Sequence, residues 1–274
     1  MIETFDEAYR RNLHERATAA RENLRRCVRP IFATTDGIRP YPVGTCMLMD
    51  IDSRRYVVTA AHVLDETSVG ALFVIGTSGT EPLQIRGKVV MTAQPPGGRH
   101  CDRIDLGFWQ VSDDAVPWLG DVRFLTEGDC SRNRVSATGR QYMAMGYPYS
   151  RNKRKIDNGR ATITPTIRTY TAETVELPAL ATEMNVSGDN HFFLRFEKTS
   201  FYSDGEKANT FAPYGMSGGP LVDLGSLISV DSYDRPYRAA RVAGILLECR
   251  KKHGAIVALK IERAIHAIRL ARNI

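Results

Sequence analysis

The sequence lacks long apolar stretches and closely spaced cysteines. No run of about 18 consecutive apolar residues occurs, the length that a membrane-spanning helix needs, so we expect no membrane association. The first twenty residues contain no basic segment followed by an apolar one, so we expect no secretory signal. The five cysteines are odd in number and include no CxxC pair. We therefore expect free thiols in a reducing compartment, the cytoplasm, and neither a metal site nor a cofactor.

An excess of acidic residues is also absent. The formal net charge is +6 and the pI is about 9.1, with the basic residues scattered along the chain. A modest and scattered positive charge favours a solvated surface over a nucleic-acid site. The most basic run, residues 149–160, is typical of an exposed loop; the alternative is a surface that recognises an acidic substrate or partner.

The first 30 residues have the pattern of an amphipathic helix. Thr4 and Glu7 form a capping-box pattern, and Pro30 is expected to end the helix. The apolar residues that recur at helical spacing are Phe5, Tyr9, Leu13, Ala17, Ala20, Leu24 and Cys27. This stripe predicts packing on the body of the protein; the alternative is a docking surface for a protein partner or a second copy.

Residues 31–260 have the residue pattern of an all-β chain. Ten short apolar runs, rich in Val, Ile and Phe, are separated by Gly, Pro, Asn or Asp. Many short antiparallel strands must bury their faces in closed barrels or stacked sheets. Residues 261–274 return to helical spacing, so we expect a C-terminal helix.

Two polar residues stand at the ends of apolar runs. His62 follows a run that ends in small residues, where a histidine can point into a cleft. Asp105 lies between Ile104 and Leu106, where a carboxylate must be paired or hydrogen-bonded. Taken alone, either residue could equally well have a purely structural role. The functional interpretation is that Asp105 accepts the Nδ1–H of a histidine and sets its tautomer.

Ser217 lies in a glycine-rich turn, Gly-Met-Ser-Gly-Gly-Pro. A serine hydroxyl becomes a nucleophile when a neighbouring base takes its proton and donors hold the resulting oxyanion. Glycines allow backbone N–H groups to converge, and the N–H groups of Gly215 and Ser217 are the candidate donors. A glycine-rich turn without chemistry is the alternative for this segment alone.

Taken together, the three segments resemble the trypsin/chymotrypsin-like serine peptidases. The matching motifs are TAAHV around His62, DLGFW from Asp105, GMSGGPLV around Ser217, and VAGILL in the strand that follows. The resemblance covers roughly residues 31–262. It implies two six-stranded antiparallel β-barrels, residues 31–130 with His62 and Asp105 and residues 131–260 with Ser217. It also implies a triad of these three residues between the barrels and an acyl-enzyme intermediate.

Two departures from the family pattern are informative. Met216 stands where many members have an aspartate that pairs with a newly cut N-terminus, so activation by that route is not expected. Val63 follows the histidine where secreted members have a cysteine. The chain therefore resembles an intracellular, bacterial-type member of the family.

The resemblance leaves specificity and activation open. Phe211, Leu247, Glu248 and Gly254 are the candidate pocket residues by motif spacing, and we expect an apolar or small side chain before the cleaved bond. The leading hypothesis is a serine endopeptidase that acts on proteins or peptides. The alternative is a non-catalytic or latent module, whose oxyanion loop a protein partner must order. Asp102 is the second candidate for the triad carboxylate.

Overall fold

The computed structural model describes residues 4–37, 39–76, 82–131, 140–152, 155–157, 160–162, 164–201, 207–227 and 240–272. Part of the basic run 149–160 therefore lies outside the described residues. The helices of the described part are α1 (Phe5–Leu24), α2 (Ala61–Leu64), α3 (Pro178–Met184) and α4 (Ile261–Ala271).

Within the described residues, the first sheet has seven antiparallel strands. They are β1 (Val28–Thr34), β2 (Tyr41–Ile51), β3 (Arg54–Ala60), β4 (Ala71–Val74), β5 (Leu83–Gln84), β6 (Val89–Met91) and β7 (Leu106–Gln110). Their spatial order is β5-β4-β1-β2-β3-β7-β6.

Ten further strands follow in the described part of the chain. They are β8 (Arg140–Gly146), β9 (Lys155–Asp157), β10 (Arg160–Thr162), β11 (Arg168–Glu173), β12 (His191–Arg195), β13 (Thr199–Phe201), β14 (Lys207–Asn209), β15 (Pro220–Ser226), β16 (Arg241–Arg250) and β17 (Ala255–Lys260). Six of them form the second antiparallel sheet, in the order β11-β8-β15-β16-β17-β12. The other four form two small hairpins, β9 with β10 and β13 with β14.

The molecule is thus mostly β, with two curled antiparallel half-barrel sheets and a helix near each end. All ten apolar runs of the sequence contribute to strands, which confirms the prediction of a mostly β chain. The expectation of six strands in each unit was wrong for the first sheet, where seven are described. The extra pairing comes from short edge strands such as β5, which has two residues and too little apolar pattern to be recognised in the sequence.

The prediction that Pro30 ends the first helix was also wrong. The capping box of Thr4 and Glu7 is present, but the helix ends at Leu24, and Pro30 lies inside β1 opposite Thr45. Thr45 directs its own N–H to the carbonyl of Ser217 at 2.9 Å. A proline, which has no N–H to donate, is tolerated here because the carbonyl of Thr45 accepts the hydroxyl of Thr59 at 2.7 Å instead.

The apolar stripe of α1 packs on the body along most of its length, with Leu13 and Ala17 partly buried against the core, but not at its first residue. Ala20 and Leu24 are buried, whereas Phe5 is 65% exposed. Arg16 donates from Nη1 to the carbonyls of Leu224 and Ser226, both at 3.1 Å, and so ties the helix to β15. The helix therefore covers the second sheet.

The predicted C-terminal helix is confirmed as α4. Ile261, Ala264, Ile265 and Ile268 are buried on one face. They belong to an apolar core that also takes side chains from both sheets, such as Leu48 of β2. Because the two sheets share this core, the loops at their junction are held in a fixed relation to one another.

All five cysteines are free thiols. No helix among the described residues combines the length and the apolar character needed to span a bilayer.

Candidate active site

His62 and Asp105 come together at the ends of two paired strands. Strand β3 ends at Ala60, which pairs with Leu106 at the start of β7. His62 therefore lies on the short helix α2 directly opposite Asp105. The Asp105 carboxylate accepts the backbone N–H of His62 at 2.9 Å and contacts its ring Nδ1 at 2.6 Å. Since a carboxylate only accepts, Nδ1 carries the proton and Nε2 is left as the basic nitrogen.

Asp105 is held in an uncommon backbone conformation. Its φ is +43°, in the left-handed region that aspartate and asparagine tolerate better than most residues. Its carbonyl accepts the N–H of Ala61 at 2.9 Å, which ties the turn to α2. The Asp105 side chain is 11% exposed and that of His62 is 37% exposed. The carboxylate is thus the buried partner, and the ring is open to the cleft.

Asp102, the second candidate carboxylate, is engaged elsewhere. Arg99 contacts it at 2.8 Å, and it accepts the N–H of Ile104 at 3.0 Å and the hydroxyl of Thr92. Burial raises the pKa of Asp102, but the bonds from Thr92, from the neighbouring backbone N–H groups and from Arg99 outweigh it and lower the pKa. Asp102 therefore helps to shape the loop that presents Asp105.

The environment of His62 raises its pKa. Burial alone would lower the pKa, but the hydrogen bond and charge of Asp105 outweigh it, with smaller contributions from Glu248 and Asp65. Neutral His62, the form that can act as a base, therefore predominates only above the ordinary histidine pKa of about 6.5.

Ser217 lies on a turn whose carbonyls are almost all bound inside the protein. The carbonyl of Tyr214 accepts the N–H of Tyr149 at 2.6 Å, and that of Gly215 accepts the hydroxyl of Thr45 at 2.7 Å. The carbonyl of Ser217 accepts the N–H of Thr45 at 2.9 Å. In the part of the chain that the structure describes, the N–H groups of Gly215 and Ser217 donate to no acceptor. They are the two donors expected from the sequence.

The glycines of this turn are required by space and by conformation. Gly218 has a φ of +86°, and a Cβ there would lie 2.0 Å from Oγ1 of Thr59 and 2.1 Å from the carbonyl of Thr45. Gly215 has a φ of +91°, and a Cβ there would lie 2.8 Å from the carbonyl of Tyr147. A side chain at Gly218 would push the turn off the first sheet, and one at Gly215 would push it off the segment that follows β8.

Met216 is buried where an aspartate would need a charged partner. It is 2% exposed and packs in an apolar cluster with Tyr142, Ala144, Leu221 and Leu246. Its N–H donates to Pro213, and its carbonyl accepts from Gly219. The turn is thus anchored by apolar burial and by neutral hydrogen bonds.

His62, Asp105 and Ser217 all line one cleft, of about 330 Å³. Leu247 and Glu248 line it as expected, whereas Phe211 and Gly254 are not among its lining residues in the described part of the chain. Phe211 packs beside the apolar cluster around Met216, and Gly254 forms the turn before β17. The lining residues that sequence reasoning did not name are Arg99, His100, Arg103, Met184, Pro213, Tyr214, Leu246 and Ile256. Pro213 and Tyr214 could have been found from their proximity to Ser217 in the chain.

The cleft has an apolar side and a charged side. Met216, Leu246 and Ile256 provide the apolar lining. Glu248 lies at the cleft and pairs with Arg250 at 2.9 Å. Exposed Tyr214 stands at the cleft with the amine of Lys251 4.5 Å from its ring centre. Among the described residues, no group of three or more His, Cys, Asp or Glu side chains is arranged to hold a metal ion.

No protein-family model matches the chain. Among curated proteins, no match is found either.

Proposed function

We propose that the chain is a serine endopeptidase of the trypsin/chymotrypsin-like type, in which two β-barrels flank the active site and the substrates are proteins or peptides. The observation that carries the proposal is the cleft itself. His62, held by Asp105 through two hydrogen bonds, shares this cleft with Ser217, whose turn presents two backbone N–H groups without acceptors.

Each group has a definite task in this reaction. Nε2 of His62 takes the proton as Oγ of Ser217 attacks the peptide carbonyl, and the N–H groups of Gly215 and Ser217 bind the oxyanion. Protonated His62 then gives its proton to the leaving amine. Water next attacks the acyl-enzyme, and His62 takes a proton from this water and returns it to Oγ of Ser217. Asp105 holds the ring in the correct tautomer and stabilises its protonated form.

The apolar lining of the cleft supports a preference for an apolar or small side chain before the cleaved bond. Met216, Leu246 and Ile256 offer no partner to a charged group, and Glu248 is already paired with Arg250. Burying an unpaired charge among such groups would be costly.

A fluorophosphonate probe, read by intact mass, tests the proposal. The oxygen of an activated serine displaces fluoride from the probe only if base and oxyanion donors are both in place. We expect labelling of the wild type and of Ser68→Ala, a control at an exposed serine, but none of Ser217→Ala or of unfolded wild type. A folded wild type without labelling would refute the proposal.

That negative outcome would favour the latent module that needs a partner. The bonds from Tyr149 and Thr45 to the loop carbonyls argue against this alternative, since a collapsed loop would turn a carbonyl toward the oxyanion position. The hydrophobic and exposed Phe5 at the start of α1 would then be the first place to look for a partner or self-association.

A further inference from the structure

Thr45 of β2 connects the first sheet to the turn that carries Ser217. It is fully buried, and each of its polar groups is used. The backbone N–H donates to the carbonyl of Ser217 at 2.9 Å, and the hydroxyl donates to the carbonyl of Gly215 at 2.7 Å. The hydroxyl oxygen also accepts the N–H of Tyr147 at 2.9 Å, and the carbonyl accepts the hydroxyl of Thr59 at 2.7 Å.

These bonds fix the orientation of the Thr45 hydroxyl. Because Tyr147 supplies a proton to the oxygen, the hydroxyl hydrogen must point to the carbonyl of Gly215. That carbonyl belongs to the peptide between the two proposed oxyanion donors, the N–H groups of Gly215 and Ser217. Its rotation would turn both donors out of line, so the hydroxyl of Thr45 controls their direction without touching the substrate.

The surroundings of Thr45 are shaped to its side chain. A Cβ at Gly146 would lie 2.9 Å from its Oγ1, and a Cβ at Gly219 would lie 3.2 Å from its Cγ2. Both branches of the threonine therefore rest against bare backbone from β8 and from the turn. A larger side chain would separate the two sheets, and a side chain without a hydroxyl would leave the carbonyl of Gly215 without its donor.

We propose that Thr45 is a positioning residue that keeps the oxyanion donors aligned, so that the site is formed without an activating ion pair or a partner. The proposal rests on the proposed peptidase function. Met216 carries no charge, so it cannot support the turn through an ion pair. The neutral hydroxyl of Thr45 supports the turn instead, through a hydrogen bond across the junction of the two sheets.

Three variants test the proposal. Thr45→Val keeps the shape and removes the hydroxyl, Thr45→Ser keeps the hydroxyl, and Thr34→Val is the matched control. Thr34 is also buried in the first sheet, and its hydroxyl donates to Asp36 at 3.0 Å, away from the cleft. We expect Thr45→Val to lower kcat by about 10²-fold, the effect of misplacing a catalytic group, with KM little changed. Thr45→Ser should recover most of kcat, and Thr34→Val should leave it unchanged.

A second readout does not depend on catalysis. Amide hydrogen exchange of peptides covering residues 213–219 should be faster in Thr45→Val than in wild type, Thr45→Ser or Thr34→Val. Equal exchange in both valine variants, together with equal kcat, would overturn the role of Thr45. If the wild type failed to react with a fluorophosphonate, the peptidase function would fall, while the exchange comparison would still decide whether Thr45 holds the turn.

Discussion

Replacing Asp105 by asparagine separates the two tasks that the structure gives to this carboxylate. One oxygen accepts the backbone N–H of His62 at 2.9 Å, and the other faces the ring Nδ1 at 2.6 Å. An asparagine has one oxygen and one NH₂ group. With the oxygen kept on the backbone N–H, the NH₂ group faces Nδ1, which must then act as the acceptor, so that the ring proton moves to Nε2. His62 could no longer take a proton from Ser217.

The variant is suited to this test because its backbone conformation is undemanding for asparagine. Asp105 has a φ of +43°, and asparagine tolerates this region as well as aspartate does. The substitution should therefore change the tautomer without breaking the turn. A wrong tautomer lowers kcat by about 10⁴-fold in serine peptidases, or about 5.5 kcal/mol of transition-state stabilisation.

The assay is hydrolysis of a fluorogenic peptide together with the rate of fluorophosphonate labelling. Asp223→Asn is the matched control, because Asp223 is a second buried carboxylate, paired with Arg140 at 2.6 Å and outside the cleft lining. This control should lose stability but keep kcat per folded molecule. A folded Asp105→Asn protein within about tenfold of wild-type kcat, a difference near 1.4 kcal/mol, would refute the assignment and turn attention to Asp102.

The same variant has a consequence for stability against pH. The pKa of His62 is raised in the folded protein, so the stability that the pair supplies is fully present below the unfolded pKa of about 6.5. It is lost as the pH rises through the folded pKa. The gap in melting temperature between wild type and Asp105→Asn should therefore be wider at pH 5.5 than at pH 8.5, and a gap that widens with pH would contradict the assignment.

Three further predictions concern the pKa of His62, the stability of the turn that carries Ser217, and the anchoring of α1. Glu248→Gln should lower the midpoint of the acidic limb of kcat/KM, because its charge contributes to the raised pKa of His62; an upward shift in a pH–rate profile would contradict this. Gly218→Ala should lower the free energy of unfolding in urea by about 3 kcal/mol or more, because of the positive φ of Gly218 and its contact with Thr59. Wild-type stability would show that the turn is not held as described. Arg16→Ala should cost about 2 kcal/mol in the same assay through loss of two bonds to β15, with labelling of the folded protein unchanged.

Local pattern was sufficient for most of the strands and for the two helices at the ends of the chain. Short apolar runs bounded by turn residues mark strands such as β7 and β16, which are buried along most of their length. The capping box of Thr4 and Glu7 could also be recognised in the sequence, because the two residues are only three positions apart. The prediction that Pro30 ends the first helix was wrong because the effect of a proline depends on the neighbouring strand, which the local sequence pattern does not identify.

The chemical types at the site can be recognised in the linear chain: a histidine after a strand, an aspartate between apolar residues, and a serine in a turn that only glycines can make. The tertiary structure decided how these groups meet. It placed Asp105 rather than Asp102 against His62, buried Met216 among apolar side chains, and brought Thr45 from 172 residues away in the chain onto the carbonyl of Ser217. Such contacts come from strand register and from the packing of two sheets on a shared core, and no short-range pattern encodes either of them.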